Sequence, residues 1–256
     1  MTALPAGSAR RPRPPRPGGA LIAFEGGEGS GKSTQARLLA EALRAAGRQV
    51  LVTHEPGATW VGEGIRQLLL HHDEPLAARA EALLFAADRA QHVQTVLRPA
   101  LAAGAVVLTD RYVDSSLAYQ GGGRELTVGQ VRALSRWATE DLRPDLTVLL
   151  DLPAGDGLAR ARGRGAADAM ECESLAFHER VRAAFRALAG EDPDRYLVLD
   201  AARPATDIAA AVRARVERLL ALRPDRPADQ QGAGAGDVTD GAGAGDDAAT
   251  DGGRPA

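Results

Sequence analysis

Several residue types are scarce in this chain of 256 residues, and each scarcity narrows what the protein can be. A single lysine, Lys32, stands against thirty arginines. The one cysteine, Cys172, excludes an intrachain disulfide and fits a reducing cytoplasm. No apolar run approaches membrane-spanning length, so we expect no membrane partner. Aromatic residues make up only 4% and the net charge is −3, with no basic stripe, so nucleic-acid binding has little support.

Both ends of the chain have compositions that argue against a folded structure. Residues 1–19 contain five prolines, four arginines and no acid, and from about Arg223 the chain is rich in Pro, Asp, Gly and Ala. Such segments cannot bury enough apolar surface to offset the entropy of ordering. We expect a disordered basic arm over 1–19, one folded domain over 20–222 and a flexible acidic tail over 223–256. The arm has no apolar segment of the kind found in secretory signals.

The single lysine lies in a glycine-rich motif. Residues 26–33 read G-G-E-G-S-G-K-S, which matches G-x-x-x-x-G-K-[ST] between an apolar run and a helical pattern. Successive N–H groups of such a loop can surround a phosphate, and the helix that follows adds its dipole. A simple glycine-rich turn would not require the Lys-Ser pair at this offset. The motif predicts an ATP site whose members are Gly26, Gly27, Glu28, Gly29, Ser30, Gly31, Lys32 and Ser33.

Short apolar runs alternate with helical patterns along the core. The runs predict strands at 20–24, 50–53, 105–109, 146–150 and 196–199, and the first helix is predicted over 32–46, with Gly47 at its end. This alternation indicates a parallel sheet covered on both faces, which with the glycine-rich motif predicts a P-loop NTPase with three α/β/α layers.

In such sheets ligands bind beyond the carboxyl ends of the strands. We therefore expect the P-loop, residues 54–57, residues 110–112 and Asp151 to meet at one crevice. Asp110 can hold Mg²⁺ together with the Ser33 hydroxyl, as acids do in P-loop enzymes, although it could instead cap the next helix. Arg111 can clamp phosphate oxygens at two points, although it could instead form a surface ion pair.

Residues 110–123, D-R-Y-V-D-S-S-L-A-Y-Q-G-G-G, resemble the D-R-[YH]-x-x-S-x-x-A-Y-Q-G signature of bacterial thymidylate kinases. Further segments agree in order, and the similarity covers about residues 20–220. These segments are F-E-G at 24–26, E-P-G at 55–57, F-A-A-D-R at 85–89, R-P-D at 143–145 and a stretch at 158–174 that is similar to the family's Arg-rich lid. The resemblance implies transfer of the ATP γ-phosphoryl group to thymidine monophosphate, Mg²⁺ as cofactor and a cytoplasmic homodimer.

The resemblance also implies roles for individual residues. Phe85 would stack on thymine, although its type and helical position alone would make it a core residue. Tyr119 would fill the space of a ribose 2′-hydroxyl, and Glu28 would touch the sugar 3′-hydroxyl. The residues implied to bind the monophosphate are Glu28, Glu55, Pro56, Phe85, Arg89, Arg111, Ser116, Tyr119 and Gln120.

Catalysis in this scheme needs cations rather than a base, because the acceptor phosphate is already an anionic nucleophile. The residues implied to act at the transfer point are Lys32, Arg111, Glu28 and the lid arginines Arg160 and Arg164. An arginine row with glycines could equally be a solvated loop. The chain departs from the family at Ala169, where the lid usually carries an arginine, and at His54 and Ala58 in the second loop.

Other functions remain possible on the sequence alone. The acceptor could be another nucleoside monophosphate, or a deoxynucleoside whose hydroxyl is activated by Glu25 or Glu28. A degenerate, nucleotide-binding regulatory relative is a further alternative. A guanine-nucleotide switch needs an N-K-x-D motif, which cannot be present because Lys32 is the only lysine.

Overall fold

Five parallel strands form the central sheet. The computed structural model describes residues 19–71, 74–123, 126–163 and 169–222. The strands run in the order β2-β3-β1-β4-β5. Their bounds are β1 Ala20–Glu25, β2 Val50–His54, β3 Val106–Asp110, β4 Leu146–Asp151 and β5 Tyr196–Asp200. The predicted parallel sheet is confirmed, with every strand ending one residue later than its apolar run, at a polar residue that still pairs with its neighbour.

Helices connect these strands and cover both faces of the sheet. Their bounds are α1 Lys32–Ala45, α2 Trp60–Leu70, α3 Ala78–His92, α4 Arg98–Ala102, α5 Val113–Ser116, α6 Val128–Thr139, α7 Ala154–Arg162, α8 Leu175–Glu191 and α9 Ala205–Ala221. A π-helical turn joins α3 to α4, and another follows α5. Within the described ranges, no helix is long and apolar enough to cross a bilayer.

Strand β1 lies at the centre of the sheet and is buried along its whole length. Ile22 and Phe24 pack in the core formed with α1 and α9, whereas Leu21 and Ala23 pack in a second core that includes Leu97. Burial on both faces explains why the sequence of this strand is continuously apolar rather than alternating.

The first helix ends where its sequence predicts. Gly47 has φ 77° and donates its N–H to the Arg44 carbonyl, so it closes α1 one residue beyond Ala46. Helix α6 begins with a capping box, in which Thr127 and Gln130 each accept a backbone N–H from the other. Gly47 thus turns the chain from α1 into β2, and Thr127 fixes the start of α6.

Candidate active site at the carboxyl edge of the sheet

A cleft of about 510 Å³ lies at the carboxyl edge of the sheet. It is lined by the P-loop, by the loop after β2, by the loop after β3 and by residues of α2 and α3. Three of the four predicted strand exits therefore meet there. The fourth prediction was wrong, because the Asp151 carboxylate turns to Arg182 of α8, with distances of 2.7 and 3.1 Å.

Two P-loop glycines are required by close backbone approaches. A Cβ on Gly26 would lie 2.5 Å from the Leu150 carbonyl oxygen, and a Cβ on Gly29 would lie 2.1 Å from that of Gly157. Both glycines also have positive φ angles, 139° and 65°. The loop is thus fitted between the end of β4 and the start of α7.

Lys32 and Ser33 begin α1 and face the cleft. The Lys32 ammonium is buried and donates to the carbonyl oxygens of Gly26 at 3.1 Å and Gly27 at 2.8 Å. Burial and Arg111 lower the pKa of Lys32. The Ser33 hydroxyl hydrogen bonds to the Asp110 carboxylate, so the two predicted magnesium ligands are adjacent.

Arg111 and Glu28 form the central ion pair of the cleft. The Arg111 guanidinium lies 2.6 Å from Glu28 and 3.4 Å from the Gly26 carbonyl oxygen, and the Tyr119 hydroxyl donates to Glu28 at 2.9 Å. Burial alone would raise the pKa of Glu28, but Arg111 and Lys32 outweigh it and lower this pKa to about 2. Glu28 is therefore ionised and already paired at neutral pH, which makes it a poor general base.

Arg89 is almost completely buried, and every group that holds it is itself buried. It donates to Glu55 at 2.7 Å, to the Ser116 hydroxyl at 3.0 Å and to the Tyr112 carbonyl at 3.1 Å. His92 contacts the second oxygen of Glu55 at 2.8 Å. Burial would raise the pKa of Glu55, yet Arg89 and His92 lower it overall. Glu55 thus acts here as the anchor of Arg89, a role that its position in the sequence did not indicate.

The remaining residues assigned to the monophosphate lie around Arg89. Phe85 and Pro56 line the cleft, and Phe85 also packs against an apolar cluster that includes side chains of α8. Gln120 lines the cleft and donates to Glu81 at 2.9 Å. All nine of the assigned residues are among those that line this cavity.

The structure describes one of the two predicted lid arginines. Arg160 lies on α7, outside the cleft lining, and donates to the Ala201 carbonyl at 3.0 Å. Arg164 lies outside the described residues. Helix α7 therefore carries Arg160, and the role of both arginines at the γ-phosphate stays a prediction.

The C-terminal end of the predicted lid, residues 169–171, lies beside the cleft. The Ala169 N–H donates to the Leu70 carbonyl at the end of α2, with a distance of 3.3 Å. Met170 and Glu171 line the cavity beside it. Ala169, where the family usually has arginine, is thus close to the site.

Sequence reasoning missed Arg66 of α2. Its side chain lines the cleft and donates to the Pro56 carbonyl at 2.9 Å, next to His54. An arginine on the helix after the second loop was the available signal, but helical arginines are usually solvent-facing. Arg66 is therefore a cation of the cleft that the sequence did not indicate.

Glu25 does not serve as the base that a deoxynucleoside kinase would need. Its carboxylate is fully buried, does not line the cleft and accepts from the backbone of Tyr112 and Ser115. Neither Glu25 nor the paired Glu28 is thus placed to deprotonate a hydroxyl.

Comparisons with known proteins agree with this geometry. The family model for thymidylate kinase matches residues 24–212. The thymidylate kinase of Clavibacter michiganensis subsp. michiganensis (strain NCPPB 382) is 56% identical over 206 residues, covering 79% of this chain and 97% of the relative. That of Leifsonia xyli subsp. xyli (strain CTCB07) is 56% identical over 202 residues, covering 78% and 95%. The solved thymidylate kinase from Ehrlichia chaffeensis superposes with a TM-score of 0.63 at 31% identity, covering 80% of this chain and 99% of that one.

Proposed function

This chain belongs to the thymidylate kinase family and phosphorylates thymidine monophosphate with ATP, and from that premise we propose how its side chains divide the work. The proposal rests on one observation: two cationic side chains contact the same carbonyl oxygen of the P-loop. Lys32, from the P-loop, and Arg111, from the end of β3, both contact the Gly26 carbonyl oxygen, at 3.1 and 3.4 Å. We assign the phosphoryl transfer point to this place, between the P-loop and the Arg89 pocket.

Two anions have to be brought together for the reaction, so charge neutralisation and alignment are its main requirements. Lys32 and the P-loop amides hold the ATP phosphates, and Arg111 and Arg89 hold the acceptor phosphate from the opposite side. Arg66 lines the same region and adds a further cation. Arg160 and Arg164 complete the charge when ATP is bound, which requires Arg160 to leave the Ala201 carbonyl.

We propose that the nucleoside lies between Phe85 and Arg89 on one side and Tyr119 on the other. Phe85 stacks on the base, while Ser116 and Gln120 lie at its polar edge. Glu28, ionised and held by Arg111, accepts from the sugar 3′-hydroxyl. Tyr119 leaves no room for a 2′-hydroxyl, which gives selectivity for deoxynucleotides.

Mg²⁺ fits the residues present. Mg²⁺ takes oxygen ligands and usually relies on substrate phosphates and water with one or two protein groups, and the adjacent Ser33 hydroxyl and Asp110 carboxylate offer such a partial set. In the described ranges, no group of three or more His, Cys, Asp or Glu residues could form a metal cage by itself. When bound, Mg²⁺ would neutralise the ATP phosphates, and Ser33 and Asp110 would hold it.

Three wider features belong to the same proposal. The kinase domain spans about residues 20–222, since relatives align over 97% of their own length with only 79% of this chain. The single, exposed Cys172 and the use of ATP support a cytoplasmic location. A homodimer is supported by exposed apolar side chains on α2, α3 and α6, among them Leu68, Leu83 and Trp137.

The test is ATP consumption with Mg²⁺ and each common nucleoside, deoxynucleoside and corresponding monophosphate in turn. We expect turnover with thymidine monophosphate, a much lower rate with deoxyuridine monophosphate and none with thymidine. The Lys32→Ala variant should be inactive with the same acceptor. Equal turnover with ribonucleotides would contradict the role given to Tyr119, and turnover with thymidine would contradict the absence of a base.

A further inference from the structure

A buried carboxyl group lies directly behind the catalytic arginine. Glu25 is the last residue of β1, has no exposed surface and lies outside the cleft lining. One of its oxygens accepts the backbone N–H groups of Tyr112 at 2.9 Å and Ser115 at 3.2 Å. The other lies 2.6 Å from the Ser115 hydroxyl. All three contacts are made to the few residues that follow Arg111.

Arg111 itself has an unusual backbone conformation. Its φ angle is 69°, in the left-handed region that residues with a Cβ rarely adopt. Its N–H is fixed by the Phe24 carbonyl at 2.9 Å, on the residue before Glu25. Such a conformation is strained and persists only where surrounding contacts impose it. The Phe24 carbonyl, the Thr109 hydroxyl, which donates to the Arg111 carbonyl at 2.8 Å, and the Glu25 carboxyl group together hold this turn.

Ser115 connects the two side chains. Its hydroxyl oxygen lies 2.6 Å from Glu25 and 3.2 Å from the Arg111 guanidinium. The same guanidinium then reaches Glu28 at 2.6 Å. A continuous chain of contacts thus runs from Glu25 below the cleft to the ion pair inside it.

We propose that Glu25 is a positioning residue for phosphoryl transfer, whose carboxyl group holds the 111–115 turn so that the Arg111 guanidinium meets Glu28 and the Gly26 carbonyl. This inference rests on the proposed role of Arg111. The effect is geometric, since Glu25 touches neither cleft nor substrate. A misplaced guanidinium would still allow ATP to bind at the P-loop but would weaken alignment of the acceptor.

The surroundings of Glu25 indicate that hydrogen bonds, rather than charge, carry this role. Burial and the neighbouring Asp114 carboxylate raise the pKa of Glu25, against the opposing effects of Ser115, Arg111 and Tyr112. Asp114 is in turn held by the Tyr196 hydroxyl at 2.6 Å. A neutral carboxyl group resembles an amide in shape and in hydrogen bonding, so glutamine should replace it.

A double-mutant cycle tests whether Glu25 acts through Arg111. We expect Glu25→Ala to lower kcat about 10- to 100-fold, with KM for ATP changed less than about 3-fold. In an Arg111→Ala background the same change should lower kcat less than about 3-fold further, because the residue it positions is gone. Equal fold-losses in the two backgrounds would overturn the inference. Unchanged kcat in Arg111→Ala alone would instead overturn the proposed role of Arg111.

The conservative variant and a stability control complete the experiment. Glu25→Gln should recover kcat to within about 3-fold of the parent, since the amide keeps the contact to Tyr112 and Ser115. A loss as large as in Glu25→Ala would mean that charge matters and would overturn the inference. Leu21→Ala, four residues earlier in the same strand and outside the cleft lining, should lower the melting temperature while leaving kcat unchanged. If Glu25→Ala does not fold, the same cycle run with Glu25→Asp, which withdraws the carboxyl group from Tyr112 and Ser115 by one methylene, decides.

Discussion

At the scale of single residues, there is a chemical reason why the only lysine of the sequence stands at position 32. Its ammonium fits between two loop carbonyls in a buried position, where a planar guanidinium would be too large. Lys32→Arg should therefore lower kcat by about 10²- to 10³-fold, measured by coupled ATP turnover. Arg37→Lys, the reverse exchange at an exposed position of α1, should leave kcat unchanged. Near-normal activity of Lys32→Arg would show that only charge is needed there.

The Glu28–Arg111 pair makes stability depend on pH in a defined direction. The pKa of Glu28 is lowered to about 2 in the folded protein, so the pair stabilises the fold above the unfolded pKa near 4.5 and loses this contribution as pH falls toward 2. Compared by urea unfolding at pH 6 and pH 3.5, the stability difference between the parent and Glu28→Gln should narrow by roughly 1–2 kcal/mol at the lower pH. A stability difference between the parent and Glu28→Gln that is the same at both pH values would contradict the low pKa of Glu28.

How far the sequence predicts the site also differs between residues. Lys32, Ser33 and Asp110 follow from spacing and strand position alone, because the P-loop imposes their geometry. Arg66 and Glu25 could not be found in this way. A helical arginine and a strand-end glutamate are recognised only when their partners, Pro56 for one and Ser115 for the other, are known in space.

At the scale of elements, the strands are well predicted because burial on both faces makes their sequences continuously apolar. The lid, predicted at about 160–171, is only partly described by the structure. Residues 160–162 end helix α7, which directs Arg160 to the Ala201 carbonyl, and residues 164–168 lie outside the described ranges. Local composition does not specify which face of a short helix packs against the P-loop, and that packing decides where the arginine points.

The altered lid leads to a gain-of-function prediction. The Ala169 N–H donates to the Leu70 carbonyl at the end of α2, next to residues that line the cleft. We therefore expect that a long cationic side chain at this position can reach the phosphoryl transfer point. Ala169→Arg should raise kcat severalfold at saturating ATP, through added charge neutralisation. Ala169→Gln adds a polar side chain without charge and should leave kcat unchanged. An unchanged or lower kcat for Ala169→Arg would contradict this account of the lid.

A substitution at the N-terminal cap of α6 should change the stability of the protein without changing its activity. Thr127 accepts the Gln130 N–H and takes part in a capping box whose residues do not line the cleft. Thr127→Ala should therefore reduce the free energy of unfolding by about 1 kcal/mol, measured by urea denaturation, with kcat and both KM values unchanged. Thr127→Ser keeps the hydroxyl and should retain most of the stability. A fall in kcat would mean that α6 contributes to the site.

At the scale of the whole molecule, helix α3 is placed between the substrate and a surface with exposed apolar groups. Phe85 and Arg89 face the cleft, while Leu83 on the same helix is 56% exposed. Leu68 of α2 and Trp137 of α6 are also exposed, on helices that pack beside α3. A contact between two copies over these helices would bury apolar surface and fix α3 at the same time.

This arrangement predicts a link between assembly and acceptor binding. Leu83→Glu should convert a dimer to a monomer in sedimentation equilibrium, because it places a charge in the apolar contact. It should also raise KM for thymidine monophosphate more than KM for ATP, since Phe85 and Arg89 lie on the helix that loses support whereas the P-loop does not. Leu222→Glu, at an exposed leucine directly after α9, should change neither property. A monomeric parent protein, or a dimeric Leu83→Glu, would contradict the proposed interface.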